Sequence, residues 1–183
     1  LAFEKVTAFI IAYRRATFGG VVHLIVQQKI LFSGDSMEKL LNDQVVEQLK
    51  QAFAELVHPV QLLFFGSKEN CEYCAETQAL LSEISAVDER VRLSIHDIQE
   101  DAALAAQFHV DKFPTIVVAA VKDGAPADLG VQFCGIPAGY EFSTLINDII
   151  FASKQTTSLG DKAREFLQSL TQPLLLQVFV TPT

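Results

Sequence analysis

From Asn42 onward the apolar positions of the chain switch back and forth between a helical and an extended period. Val45, Val46, Leu49, Ala52, Phe53 and Leu56 recur at spacings of three and four, which predicts an amphipathic helix that Asn42-Asp43 can cap and Pro59 stops. Val60 to Phe65 is an almost unbroken apolar run, as expected of a strand buried on both faces. Ala75 to Ile84 returns to helical spacing, and the helix is expected to end near Ala86. Val91 to Ile95 alternates and reads as a second strand ending at His96-Asp97, and Ala102 to Phe108 reads as a short helix. Thr115 to Val121 is a third strand, which Asp123-Gly124 turns into a fourth from Leu129 to Phe133. Pro137-Ala138-Gly139 then leads into an amphipathic helix carrying Phe142, Leu145, Ile146, Ile149 and Ile150. A strand–helix–strand unit followed by a hairpin and a closing helix predicts an α/β fold, with a mixed sheet covered by helices on both faces.

The pattern also repeats. Leu56-Val57-His58-Pro59 followed by Val60 to Phe65 is echoed by Leu170-Thr171-Gln172-Pro173 followed by Leu174 to Phe179, each copy preceded by an amphipathic helix, at an offset of 114 residues. The earlier copy runs on to a cysteine pair, whereas the later one stops at Val180-Thr181-Pro182-Thr183. The expected organisation is a complete unit over 37–154 and the truncated start of a second over 155–183. Residues 1–36 fit neither. Glu4 and Lys5 precede a short apolar run from Val6 to Tyr13, and Arg14-Arg15 and Gly19-Gly20 break the apolar character beyond it, so neither a secretory signal nor a membrane span of about 20 residues is expected. Met37 is the only methionine, and Ser33-Gly34-Asp35 can be encoded with a purine-rich element just ahead of it. One expectation is therefore that Met37 is the natural start and residues 1–36 derive from upstream translation; the other is a genuine helix plus a strand from His23 to Phe32.

Composition narrows the function. At 183 residues, half of them hydrophobic, the chain can bury the core of one domain or one and a fraction. A net charge of -8 with 14 Lys plus Arg argues against nucleic acid or an anionic membrane as partner. Three cysteines make no disulfide framework and fit a reducing, cytoplasmic setting in which a close pair is chemical rather than structural.

That pair is Cys71-Glu72-Tyr73-Cys74, between the apolar run ending at Phe65 and the next helix. Cysteines three apart at the first turn of a helix can bridge, and the unpaired N–H groups and positive dipole end there stabilise a thiolate on the first. Two other readings stay open. A zinc site would need two further thiolate or imidazole ligands, but only Cys134 and the scattered His23, His58, His96 and His109 are present, without ligand spacing. The two cysteines could also be inert.

Three segments together resemble a known family: Phe64-Phe65 before Cys71-Glu72-Tyr73-Cys74, then Val110-Asp111-Lys112-Phe113-Pro114-Thr115, and Phe133-Cys134-Gly135-Ile136-Pro137-Ala138-Gly139-Tyr140-Glu141-Phe142. They resemble the glutaredoxin-like protein disulfide oxidoreductases of archaea and thermophilic bacteria, which carry two thioredoxin-fold units in tandem. The resemblance spans Met37 to Thr183. It implies a three-layer thioredoxin-like fold with a central four-stranded mixed sheet flanked by helices, and thiol–disulfide exchange with protein substrates. It further implies that Cys71 is the attacking thiolate, that Cys74 is the resolving thiol, and that Pro114 is a cis-proline opposite the pair. Substrate would meet Tyr73, Phe113 and Pro114.

The chain departs from the wider pattern at several points. Thioredoxins place a buried aspartate six residues ahead of the first cysteine, where this chain has Phe65; Asp97 is the nearest substitute proton acceptor, although an aspartate there also suits a helix cap. Glu72 between the cysteines opposes thiolate formation at Cys71. Cys134, in the fourth strand, is expected to be buried and inert. Exchange chemistry needs no bound cofactor. The partners implied are protein disulfides or dithiols, with electrons from a dithiol, glutathione or a flavin-dependent reductase. Two rivals remain: a redox-inactive thioredoxin-fold interaction module, and the amino-terminal module of the flavoprotein that reduces alkyl hydroperoxide reductase. In that module the active pair lies in the second unit, not the first.

Overall fold

The structure, a computed structural model, describes residues 6–12, 39–172 and 174–180. Helix α1 (Asp43–Phe53) starts where the pattern places it: Asn42 sits in extended geometry as N-cap and its Oδ1 accepts the Val45 N–H at 2.9 Å, satisfying one of the donors that a helix start leaves open. Val45, Leu49 and Phe53 form its buried stripe. Strand β2 (Val60–Gly66) is buried at every residue but Gln61. Its alternate side chains explain the unbroken apolar run: Leu62 and Phe64 enter one core cluster, Leu63 and Phe65 the other.

Helix α2 (Cys74–Ser85) packs Leu80, Leu81 and Ile84 into the larger cluster and leads to β3 (Val91–Asp97), parallel to β2 in register Val60↔Val91 to Gly66↔Asp97. The short α3 (Ala102–Gln107) comes next, and with Phe108 and Val110 it covers the other face. Strand β4 (Thr115–Lys122) runs antiparallel to β2, and β5 (Ala125–Cys134) antiparallel to β4. Asp123 at φ 52° and Gly124 at φ 81° give the two left-handed residues of a tight hairpin, which closes the ladder from Lys122↔Ala125 onward. Strand β5 therefore begins four residues earlier than its apolar pattern suggests; a bulge at Val118/Ala119 absorbs the register shift. Helix α4 (Tyr140–Lys154) returns across the larger cluster through Phe142, Leu145, Ile146 and Ile149.

Strands β3-β2-β4-β5 are the expected four-stranded mixed sheet, with helices on both faces, and two further strands extend it. Strand β1 (Val6–Ala12) lies parallel beside β5, and β6 (Leu174–Val180) parallel beside β1, giving six strands in the order β3-β2-β4-β5-β1-β6. The stretch that the pattern sets apart, 1–36, thus contributes a strand to the sheet. The His23–Phe32 reading, the Met37 start, Ser33–Asp35 and Thr181–Thr183 lie outside the described residues. Between α4 and β6, α5 (Asp161–Ser169) has no buried residue, and Leu159 and Phe166 are exposed. Helix α5 is followed by strand β6, the same order as α1 and β2.

Two polar anchors hold the unit together where no apolar pattern could announce them. The Ser153 hydroxyl, fully buried near the end of α4, accepts the N–H groups of Val57 and His58 at 2.8 and 3.0 Å and donates to the His58 carbonyl at 2.6 Å. The Arg90 guanidinium, oriented by Asp88, donates to the Leu56 and Phe53 carbonyls at 2.6 and 2.9 Å, covering the C-terminal end of α1. Among the described residues, no helix is long and apolar enough to cross a membrane.

Candidate active site

The cysteine pair stands at the edge of the sheet where β2 ends. After Gly66 the chain leaves the strand, passes Asn70 at φ 55° and reaches Cys71, which is bonded to Cys74 as a disulfide with a Cα–Cα separation of 5.4 Å. Cys71 precedes the helix rather than sitting in its first turn. Tyr73, at φ -116° and ψ 12°, is the N-cap, and Cys74 is the first helical residue, because intrahelical bonding begins with the Thr77 N–H to the Tyr73 carbonyl at 3.0 Å. The buried Thr77 hydroxyl donates to the same carbonyl at 2.6 Å, so one side chain fixes the helix start beneath the pair. The open N–H groups of that turn face the cysteine side of α2, the end at which negative charge is favoured. Both cysteines are half-buried, and Cys74 packs against the larger core cluster.

Strand register brings the second segment to the same edge. Phe65 pairs with Thr115, and one step further along that register Pro114 stands across from Gly66. The Phe113–Pro114 peptide bond is cis, and the Pro114 carbonyl accepts the Gly135 N–H at 2.8 Å, which fastens the loop to the end of β5. Pro114 is buried, whereas Phe113 is 39% and Tyr73 48% exposed, so two aromatic faces and one proline ring border the cysteine end of the sheet.

Asp97 sits on this edge too, paired in register with Gly66, but its carboxylate is engaged. One oxygen accepts the Lys68 N–H at 3.0 Å; the other accepts those of Gln99 and Glu100 at 2.9 and 3.2 Å. The Gln99 and Glu100 bonds hold its pKa below the ordinary value, which suits a cap and makes a poor base. Phe65, at the position where thioredoxins carry a buried acid, is fully buried against the His96 ring at 5.3 Å between centroids. Around the pair the exposed Glu69 and Glu72 set an acidic field, and Lys68 is drawn to Glu100 by an ion pair.

Cys134 closes the ladder opposite Thr115, whose hydroxyl lies 3.5 Å from its sulfur. Burial pushes the Cys134 thiol up, and the Thr115 contact opposes this only in part. One acid stands out that the sequence pattern does not single out as a site. Glu141, in the first turn of α4, is 8% exposed, and burial raises its carboxyl to about 7. Its only sequence signal is an acidic residue next to the apolar stripe of an amphipathic helix. Half-buried Asp148 in the same helix is raised to about 6 for the same reason. Among the described residues, no group of three or more His, Cys, Asp or Glu side chains could hold a metal ion.

No protein-family model matches the chain, and no curated protein does. Among solved structures, it is similar to a protein disulfide oxidoreductase from Aeropyrum pernix K1 at 28% identity and a TM-score of 0.61, with 70% of this chain matched to 55% of that one. It is also similar to the alkylhydroperoxide reductase AhpF from Enterococcus faecalis, at 24% identity and a TM-score of 0.63 over 71% of this chain and 61% of that one. A domain structure of the same reductase matches at 20% identity and a TM-score of 0.62, covering 76% of this chain. The two reductase likenesses establish the fold. The chain spans little more than half the length of the first two proteins.

Proposed function

We propose, from the premise that this chain matches the thioredoxin-fold disulfide oxidoreductases in fold and in its Cys-x-x-Cys pair, that it exchanges disulfides with protein substrates through Cys71 and Cys74. The observation that carries the reading is the Cys71–Cys74 disulfide at the start of α2, on the same sheet edge as the Phe113–Pro114 loop. In the reduced state Cys71, outside the helix and next to its open N–H groups, is the thiolate that attacks a substrate disulfide. A mixed disulfide forms and the first substrate sulfur leaves as a thiol. Cys74 then attacks the Cys71 sulfur, releases the second substrate thiol and restores the bridge. Electrons return from a dithiol, from glutathione or from a flavin-dependent reductase. Tyr73 and Phe113 offer exposed ring faces to an extended substrate segment, and Pro114 borders it. Asp97 is assigned the capping role rather than that of proton acceptor.

The unit that performs this chemistry is assigned to 37–154, with 155–183 as part of a second unit of the same kind, on the strength of the α1–β2 and α5–β6 correspondence. A reducing, cytoplasmic setting fits the three cysteines. The test is turnover of insulin disulfides by dithiothreitol. Cys71→Ser is expected to abolish the catalysed rate, and Cys74→Ser to accumulate mixed disulfides because the resolving thiol is gone. Wild-type activity in the Cys71→Ser protein would overturn the assignment of Cys71, whereas a wild-type protein with no catalysed rate would leave a redox-inactive module as the reading.

A further inference from the structure

Gly66 is the last residue of β2 and is buried. Its backbone is fastened from the far side, since its carbonyl accepts the Ile98 N–H at 2.9 Å. A β-carbon placed there would stand 3.0 Å from Cys74 Sγ, 3.0 Å from Phe64 Cε1 and 3.2 Å from Phe64 Cζ. Carbon contacts are optimal at about 3.5–4.0 Å, so the space a side chain would take is already filled by the sulfur and the ring. Gly66 lies outside the set of left-handed glycines, which means that its hydrogen side chain answers to this contact and not to a backbone requirement.

We infer that Gly66 is a positioning residue for the redox couple: the missing side chain leaves the seat that Cys74 Sγ occupies when bonded to Cys71, and so favours the disulfide over the dithiol. The inference rests on the disulfide-exchange reading of this pair. A methyl group added at Gly66 crowds both neighbours, the ring in either redox state and the sulfur where the disulfide holds it. Phe64 is 1% exposed and held within the larger core cluster, so its ring cannot turn aside without moving the core. Cys74 Sγ differs between the two redox states. As a thiol it can turn to another staggered rotamer; as a disulfide it is tied to Cys71 and must stay. The methyl group therefore penalises the disulfide more than the dithiol.

The equilibrium that measures this is dithiol plus glutathione disulfide giving Cys71–Cys74 disulfide plus two glutathione thiols. One S–S bond forms and one breaks, and two electrons and two protons pass from the protein to glutathione. Overpacking a filled site costs enough to move such an equilibrium several-fold or more. In the full chain, Gly66→Ala is expected to lower the equilibrium constant about tenfold, equivalent to about 30 mV for this two-electron couple. Gly160→Ala, where no heavy atom lies within 4 Å of the added carbon, should leave it unchanged.

A purely structural role for Gly66 would destabilise both redox forms equally and leave the constant where it was. Superimposable glutathione titrations for wild type and Gly66→Ala would therefore overturn the inference while leaving disulfide exchange intact. A wild-type pair that forms no disulfide at any glutathione ratio would instead defeat the exchange reading itself. If Gly66→Ala does not fold, the Gly66→Ala/Cys74→Ser double variant decides. The shorter C–O bond withdraws the offending atom, so recovery of the fold supports the sulfur contact as the cause, and failure to recover assigns the clash to Phe64 and refutes the inference.

Discussion

Glu141→Gln isolates the energetic effect of burying an acid at the start of α4. The wild-type carboxyl is raised from 4.5 to about 7 by burial, so the folded protein holds a proton that the unfolded chain has released between those values. Unfolding free energy falls with rising pH wherever the folded state binds more protons. For Glu141 the stabilising effect is fully present below 4.5 and is lost as pH rises through about 7. At 1.36 kcal/mol per pKa unit the gap corresponds to roughly 3 kcal/mol. Glutamine keeps the shape and cannot ionise, so the variant should match wild type near pH 4.5 and exceed it by an amount approaching roughly 3 kcal/mol at pH 8. Asp148 titrates in the same direction, but it is present in both proteins and cancels in the comparison. The assay is urea unfolding of the oxidised proteins at intervals from pH 4.5 to 8, monitored by circular dichroism, with midpoints compared at unchanged slope. A wild-type-to-variant midpoint difference that stays constant across this range would refute the reasoning, because a pH-independent offset reports packing and not titration.

Other consequences rest on the same geometry. Ser153→Ala leaves the Val57 and His58 N–H groups without the buried hydroxyl that accepts them, and should cost about 1–3 kcal/mol of unfolding free energy, read as a lower urea midpoint. Cys134→Ser should keep the wild-type insulin-reduction rate, since its thiol is raised by burial and lies in the β4–β5 ladder; a large loss of rate would place it in the reaction. Asp97→Ala should loosen the turn that its carboxylate caps without moving the pH profile of insulin reduction. A profile displaced by this substitution would reinstate Asp97 as proton acceptor.

Alternation and capping are local properties, and so they are legible along the chain. The Asn42 cap, the buried run of β2, the hairpin at Asp123-Gly124 and the apolar face of α4 depend only on residues close in sequence. The Cys-x-x-Cys spacing brings two sulfurs within bridging reach by itself. Distances across the fold are not encoded in any single window. Whether Asp97 serves as a base or a cap depends on which N–H groups surround it, and those come from Lys68 as well as from its own turn. The acidity of Glu141 depends on its burial at the start of α4, which the folded chain as a whole decides and the local pattern does not. The first strand, Val6–Ala12, finds its partners in β5 and β6, more than a hundred residues away. The value of a glycine at 66 is likewise invisible along the chain, because it is defined by a sulfur eight residues on and a buried ring that meet only when β2 and α2 pack.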